Sequence, residues 1–276
     1  MSQNCPYPDW ASYPRDESAA MHRRIRDARE GRPHSKNDAG IAALADIHAG
    51  QTGWLLGNGP SVRVSDLERL AGQVVFGCNR LYLAYENMRF RPTYLCSTDE
   101  QMIRDFGQEM IDNHPGKTLF VAPQFPSLAG DFVWFPMGSA TPLEFSTNVY
   151  DYVMPGGGTL VAAIQIGFHM GIRRFYIYGM DHNFVYEEKD NENDHYQRAT
   201  GDGNHFIPNY RSGKAWAPPV LWQVEGALLS CHVFLQHHGG WIRNATRGGK
   251  LEVLERVDFD LAAPHEGDMD VSETTS

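Results

Sequence analysis

Cysteine is scarce in this chain. Four residues, Cys5, Cys78, Cys96 and Cys231, are spread over 276 positions without a C-x-x-C pair. That spacing suggests neither a disulfide framework nor a zinc site, and a reduced cytosol is the simplest setting. Long apolar runs are missing too, since no stretch reaches the ~18 residues that mark a membrane-spanning helix. The N-terminus lacks the basic-then-apolar pattern of a secretory leader, so a cytoplasmic location is expected. There is no surplus of basic charge: 24 Lys and Arg face 34 Asp and Glu, for a formal net charge of −10. A general nucleic-acid or anionic-membrane surface is therefore disfavoured, although a local basic pocket is not.

What remains is an alternation of short apolar runs and amphipathic stretches. The runs "GWLLGN", "QVVFGCN", "RPTYLCSTD", "KTLFVAP" and "RRFYIYGMD" read as buried strands. Between them, "AGIAALADIHAG", "SVRVSDLERLAG", "RLYLAYENMRF", "EQMIRDFGQEMIDNHPG" and "TLVAAIQIGFHMGI" have helical spacing or turn punctuation. This order predicts an α/β fold: one Rossmann-like domain over 39–262 with a mainly parallel sheet and helices on both faces. Residues 1–38, rich in Pro, Arg, Asp and Ser, read as a mobile arm, and 263–276 as a disordered acidic tail. The polar, Pro- and Gly-rich segment 186–219 reads as a lid in the C-terminal half.

The polar residues that could do chemistry gather where strands end, and open parallel sheets bind ligands outside those carboxyl ends. Gly57-Asn58-Gly59-Pro60-Ser61 follows the first strand, Asn79 the second, and Thr98-Asp99-Glu100 the third. Asp181 and His182 follow a later strand. Gly156, Gly157, Gly158 and Thr159 open the apolar helix, whose first amides suit an anion. Each cluster alone has an ordinary reading as turn chemistry or an N-cap. Their common edge is what points to a site. Gly59 is expected to let backbone and ligand approach closely. The turn lacks the third glycine of G-x-G-x-x-G, so a nicotinamide dehydrogenase is disfavoured.

The segments "WLLGNGPS", "FGCNRLYLAY", "RPTYLCSTDE", "GGGTLVAAIQIGFHMGIRRFYIYGMDHNF" and "WIRNATRGGKLEV" resemble the MptE-like family, named for an archaeal hydroxymethylpterin pyrophosphokinase. The first half also resembles bacterial lipooligosaccharide sialyltransferases, in the G-N-G-P-S turn and the C-N pair. That resemblance implies a cytoplasmic glycosyltransferase of polysaccharide biosynthesis, moving a sugar from a CMP-linked acidic donor to a cell-surface glycan. It implies that Gly57, Asn58, Gly59, Pro60, Ser61 and Asn79 line a nucleotide site, with Gly157, Gly158 and Thr159 near phosphate or sugar. Tyr210, Asn244, Thr246 and Arg247 are further donor-site candidates, with Lys250 a second nearby cation.

The chain departs from the sialyltransferase pattern where the lid's general-base His would stand, because that position holds Asn209. Asn is no useful base at neutral pH. His205, Asp181 and Asp99 are therefore the catalytic candidates, with His182 also weighed. The favoured reading needs no cofactor or metal. The alternative is a pyrophosphokinase with Mg²⁺ at Asp99 and Glu100. A nucleotide- or glycan-binding module without catalysis is the third reading. The expected partners are a nucleotide-sugar donor and a glycan acceptor, with no nucleic acid. The oligomeric state is open, a homo-oligomer included.

Overall fold

The computed structural model describes residues 18–122, 127–139, 141, 143–184, 197–198, 203–210, 215–216 and 218–264. Seven strands form one sheet: β1 (Thr52–Leu56), β2 (Val74–Cys78), β3 (Tyr94–Ser97), β4 (Lys117–Val121), β5 (Phe132–Phe135), β6 (Arg174–Tyr178) and β9 (Trp241–Asn244). Their spatial order is β5-β4-β3-β2-β1-β6-β9, and every pairing is parallel. A separate two-residue ribbon pairs β7 (Gln197–Arg198) with β8 (Ala215–Trp216). The helices are α1 (Ser18–Arg29), α2 (Lys36–Ala43), α3 (Val64–Glu68), α4 (Glu100–Asn113), α5 (Thr159–His169), α6 (Leu221–His237) and α7 (Phe259–Ala262). A 3₁₀ segment spans Leu81–Asn87. The fold is α/β, as the alternating runs predict.

Period-2 alternation explains why both faces of the sheet are covered. Leu55, Phe76 and Ile177 point into a core shared with α1, α2, α5 and α6. Trp54, Leu56, Val75, Leu95 and Tyr178 point into the opposite core with α3, α4 and α7. Helix α5 is buried over Thr159–Gly167, so its largely apolar sequence matches its place. Helix α4 is two-sided instead: Met102, Ile103, Phe106 and Met110 are buried, and Asp99 caps its first turn.

Six elements among the described residues lie outside the sequence expectations: β5, the β7–β8 ribbon, α6, β9 and α7. The expected helix over 39–50 begins earlier, at Lys36 with Ser35 as N-cap, and stops at Ala43. The largest correction concerns the expected mobile arm. Met21, Ala28 and Ile41 of α1 and α2 belong to the main core. Arg24 is fully buried and donates from Nε to Asp38 at 2.7 Å, while its Nη2 pairs with the other carboxylate oxygen. Asn37 bonds both ways to the Trp134 backbone, at 2.7 and 2.8 Å, and so occupies the open edge of β5. A charged sequence hides this because an internally paired Arg and Asp look like surface residues in composition. Residues 1–17 of the arm, and 265–276 of the expected tail, lie outside the described residues.

Candidate functional site

The sheet order places β1 between β2 and β6, so chain progression reverses between β1 and β6. Crevices form outside strand ends at such a reversal. A cavity of about 710 Å³ opens there. It is lined by the turn after β1, Asn79 after β2, Thr98 to Glu100 after β3, the start of α5, and Gly179 to Phe184 after β6. The strand-end clusters therefore meet in one place, which their separation along the chain does not itself require.

The glycines of the β1 turn have a different cause from the one expected. Gly57 N–H donates to Tyr178 O at 2.8 Å, and Gly59 N–H to Gly179 O at 2.9 Å. A Cβ on Gly57 would lie 2.4 Å from Gly179 O, and one on Gly59 would lie 1.9 Å from Asp181 Oδ2. What approaches these glycines closely is the chain itself. The turns after β1 and β6 are wedged together, and Ser61 Oγ donates to Asp181 Oδ2 at 2.9 Å across the junction. Ser61 does not line the cavity; it holds Asp181, which does.

Asn58 is buried and bridges three segments. Its Nδ2 donates to Cys78 O and Tyr210 Oη, each at 2.8 Å, and its backbone O accepts from Phe206 N–H at 3.0 Å. Its Oδ1 is buried without a hydrogen-bond partner. Asn79, in the left-handed region at φ 51°, accepts from Ser97 Oγ at 2.7 Å through Oδ1. That bond fixes its amide. Burial pushes the Cys78 thiol up to about 12, so this lining residue is no thiolate nucleophile at neutral pH.

Within the expected lid, residues 203–210 are described and are packed rather than hinged. Ile207 and Tyr210 are each 2% exposed. Arg80, whose guanidinium lies 3.8 Å over the Phe106 ring, donates to Tyr210 O at 2.6 Å. His205 stacks on Tyr210 with ring centroids 3.8 Å apart, and both line the cavity. Apart from the β7–β8 ribbon and 218–219, the rest of 186–219 lies outside the described residues.

The start of α5 faces the cavity through Gly157, Gly158 and Thr159. Gly156 and Gly157 adopt φ of 52° and 78°, which turn the chain into the helix. Gly158 is the N-cap and offers no side chain to the first amides; a Cβ there would meet nothing within 4 Å. Uncapped amides at a helix N-terminus favour an anion. Asp99 is differently employed: its Oδ1 accepts Met102 N–H at 2.9 Å as the cap of α4. Glu100 lines the cavity beside it. Among the described residues no three His, Cys, Asp or Glu gather as a metal cluster.

Asn244, Thr246 and Arg247 are not among the residues lining the cavity. Asn244 ties its own loop together, donating to Leu251 O at 3.0 Å and accepting from Thr246 N–H at 3.0 Å. Arg247 is held by Asp66 at 2.6 Å and Asp260 at 2.8 Å. Hydrogen bonds to Asp260 and Asp66 hold its guanidinium well above the usual range. The cation expected near phosphate thus fastens α7 to α3. Lys250 contributes its backbone N–H, to Asp181 O at 2.7 Å.

Two residues, Arg104 and Glu225, escape the sequence expectations. Arg104 lines the cavity one turn after Glu100; the i, i+4 spacing that puts them on one helix face was the available signal. Glu225 of α6 stands behind the lining. The buried His182 lines the cavity, and its Nε2 lies 3.0 Å from Glu225 Oε1. Nothing in the sequence connects these two, because 43 positions separate them.

No family model matches the chain and no curated protein matches it, so membership of the MptE-like family is not shown. Two solved structures are similar to it. One is the MAf glycosyltransferase from Magnetospirillum magneticum AMB-1, at 12% identity and a TM-score of 0.46. That match covers 87% of this chain and 39% of the other. The second is the sialyltransferase CstII from Campylobacter jejuni, in complex with the substrate analogue cytidine-5'-monophosphate, at 16% identity and a TM-score of 0.29. It covers 48% of this chain and 62% of that one. The chain therefore spans less than two thirds of the length of either neighbour.

Proposed function

We propose that the chain is a glycosyltransferase that takes a sugar from a CMP-linked acidic donor and passes it to a hydroxyl of a cell-surface glycan. The observation that carries this reading is the convergence on one cavity of the Asn58 turn, Asn79 and the uncapped start of α5. Asn58 Oδ1, which has no hydrogen-bond partner among the described residues, and Asn79 Nδ2, whose amide is held through Oδ1 alone among them, supply an acceptor and a donor suited to a pyrimidine base or ribose. The α5 amides supply positive potential for the donor phosphate, and Arg104 adds a cation to the lining.

The reaction asks three things of the protein. The donor must be oriented, the leaving phosphate must be stabilised, and the acceptor hydroxyl must lose a proton. In this reading Asn58, Asn79 and Tyr210 orient, and the start of α5 stabilises. No divalent cation is invoked, because the helix terminus meets the charge that develops on the phosphate. Candidates for the proton acceptor are His205, Asp181, Asp99 and His182, all in the lining.

The test is thermal unfolding with CMP, CMP-sugars, ATP with Mg²⁺ and pterins, followed by transfer assays with and without EDTA. A ligand at 100 times its Kd adds about 2.7 kcal/mol, a shift of several degrees. CMP and CMP-sugars are expected to stabilise, and transfer is expected to survive EDTA. Stabilisation by ATP with Mg²⁺ alone, with activity lost on chelation and in Asp99→Asn, would select the pyrophosphokinase. Stabilisation by CMP without any turnover would select the binding module. If none of these ligands stabilises the protein, the nucleotide site itself is refuted.

A further inference from the structure

We propose that His182, held by Glu225, is the general base of this site; the assignment rests on the transferase reading above. The other candidates are each committed elsewhere. Asp181 Oδ2 accepts Ser61 Oγ, Asp99 Oδ1 caps α4, and His205 is stacked flat on Tyr210. His182 is arranged as a base needs to be. Its side chain is 4% exposed and lines the cavity. Its Nε2 meets the Glu225 carboxylate at 3.0 Å, and Glu225 itself is not among the lining residues.

That contact fixes the tautomer. A carboxylate accepts and cannot donate, so the proton of neutral His182 sits on Nε2, and Nδ1 carries the lone pair. No hydrogen bond to Nδ1 occurs among the described residues. A second observation agrees. Among the described residues, His182 is one of four non-glycine positions with positive φ, at 52°, in the segment that follows β6. A left-handed backbone is maintained where the surroundings over-determine it, and such positions cluster at functional sites.

The acceptor oxygen forms a bond to the anomeric carbon of the donor sugar. The bond from that carbon to the donor phosphate oxygen breaks, and its electron pair leaves with the nucleoside monophosphate. The acceptor proton passes to His182 Nδ1. The imidazolium is then balanced by Glu225, which acts as a positioning residue and does not touch substrate.

Three substitutions test this. His182→Asn removes the base and tolerates the left-handed backbone. His182→Gly tolerates it too and leaves room for free imidazole. Glu225→Gln keeps a hydrogen-bond acceptor and removes the charge, at a side chain 37% exposed where folding is not at stake. His182→Asn is expected to keep the CMP-induced melting shift while kcat falls roughly 10²- to 10⁴-fold, with donor KM nearly unchanged. Glu225→Gln is expected to lower kcat by less, again without moving KM. Added imidazole is expected to raise the rate of His182→Gly and not that of wild type. Wild-type turnover in His182→Asn, or losses in kcat/KM that come entirely from KM, would overturn the assignment while leaving the transferase reading intact. A wild-type protein that binds CMP and transfers nothing refutes both together.

Discussion

Gly59→Ala adds a single methyl group where the turn after β1 meets the turn after β6. The new Cβ would lie 1.9 Å from Asp181 Oδ2 and 2.7 Å from Gly179 O. Gly59 does not have a left-handed φ, so backbone conformation adds nothing and contact alone sets the cost. The carboxylate can swing away only by giving up Ser61 Oγ at 2.9 Å. Losing a hydrogen bond to a charged group costs about 1.5–3 kcal/mol, and the remaining backbone overlap adds about 1–3 kcal/mol of overpacking. The sum, about 2.5–6 kcal/mol, corresponds to roughly 5–24 °C in unfolding temperature for a chain of this size. The assay is a double-mutant cycle with Asp181→Ala, read by urea and thermal unfolding without nucleotide. Removing the carboxylate should reduce the cost of Gly59→Ala by at least about 1 kcal/mol. A neutral Gly59→Ala, or additive effects in the cycle, would refute the reasoning and return Gly59 to the role of a ligand-contact glycine.

Two further expectations concern stability. Asp38→Ala leaves the buried Arg24 guanidinium unpaired and should cost about 3–5 kcal/mol, whereas pairing Asp38→Leu with Arg24→Met should restore much of it; a melting temperature unchanged in Asp38→Ala would restore the detachable arm. Burial pushes His114 down to about 4 from the ordinary 6.5, and His169 down as well. The unfolded chain then binds more protons than the folded one between pH 6.5 and 4, so stability is full above that window and falls as pH drops through it. His114→Gln should flatten part of this slope in urea melts at about pH 7 and about pH 4.5, with the His169 part remaining; an unaltered slope would refute the assignment.

The sequence by itself determined the α/β class, five of the seven sheet strands and the sheet edge at which the cavity opens. Strand runs buried on both faces and turn residues at their ends are local signals, and the parallel alternation needs no distant information. Pairing across the chain is what only the tertiary structure decided. Composition makes Arg24 and Asp38 look solvated, Arg247 look like a phosphate ligand, and Gly59 look like a ligand contact. Each was reassigned by a partner remote in sequence: Asp38 for Arg24, Asp66 for Arg247, Asp181 for Gly59. The same holds for His182 and Glu225, whose 3.0 Å contact joins the segment after β6 to α6, a helix that packs on β9 and α5. A charge or a missing side chain is visible in sequence, but what it faces depends on how the sheet order folds distant strand ends onto one edge.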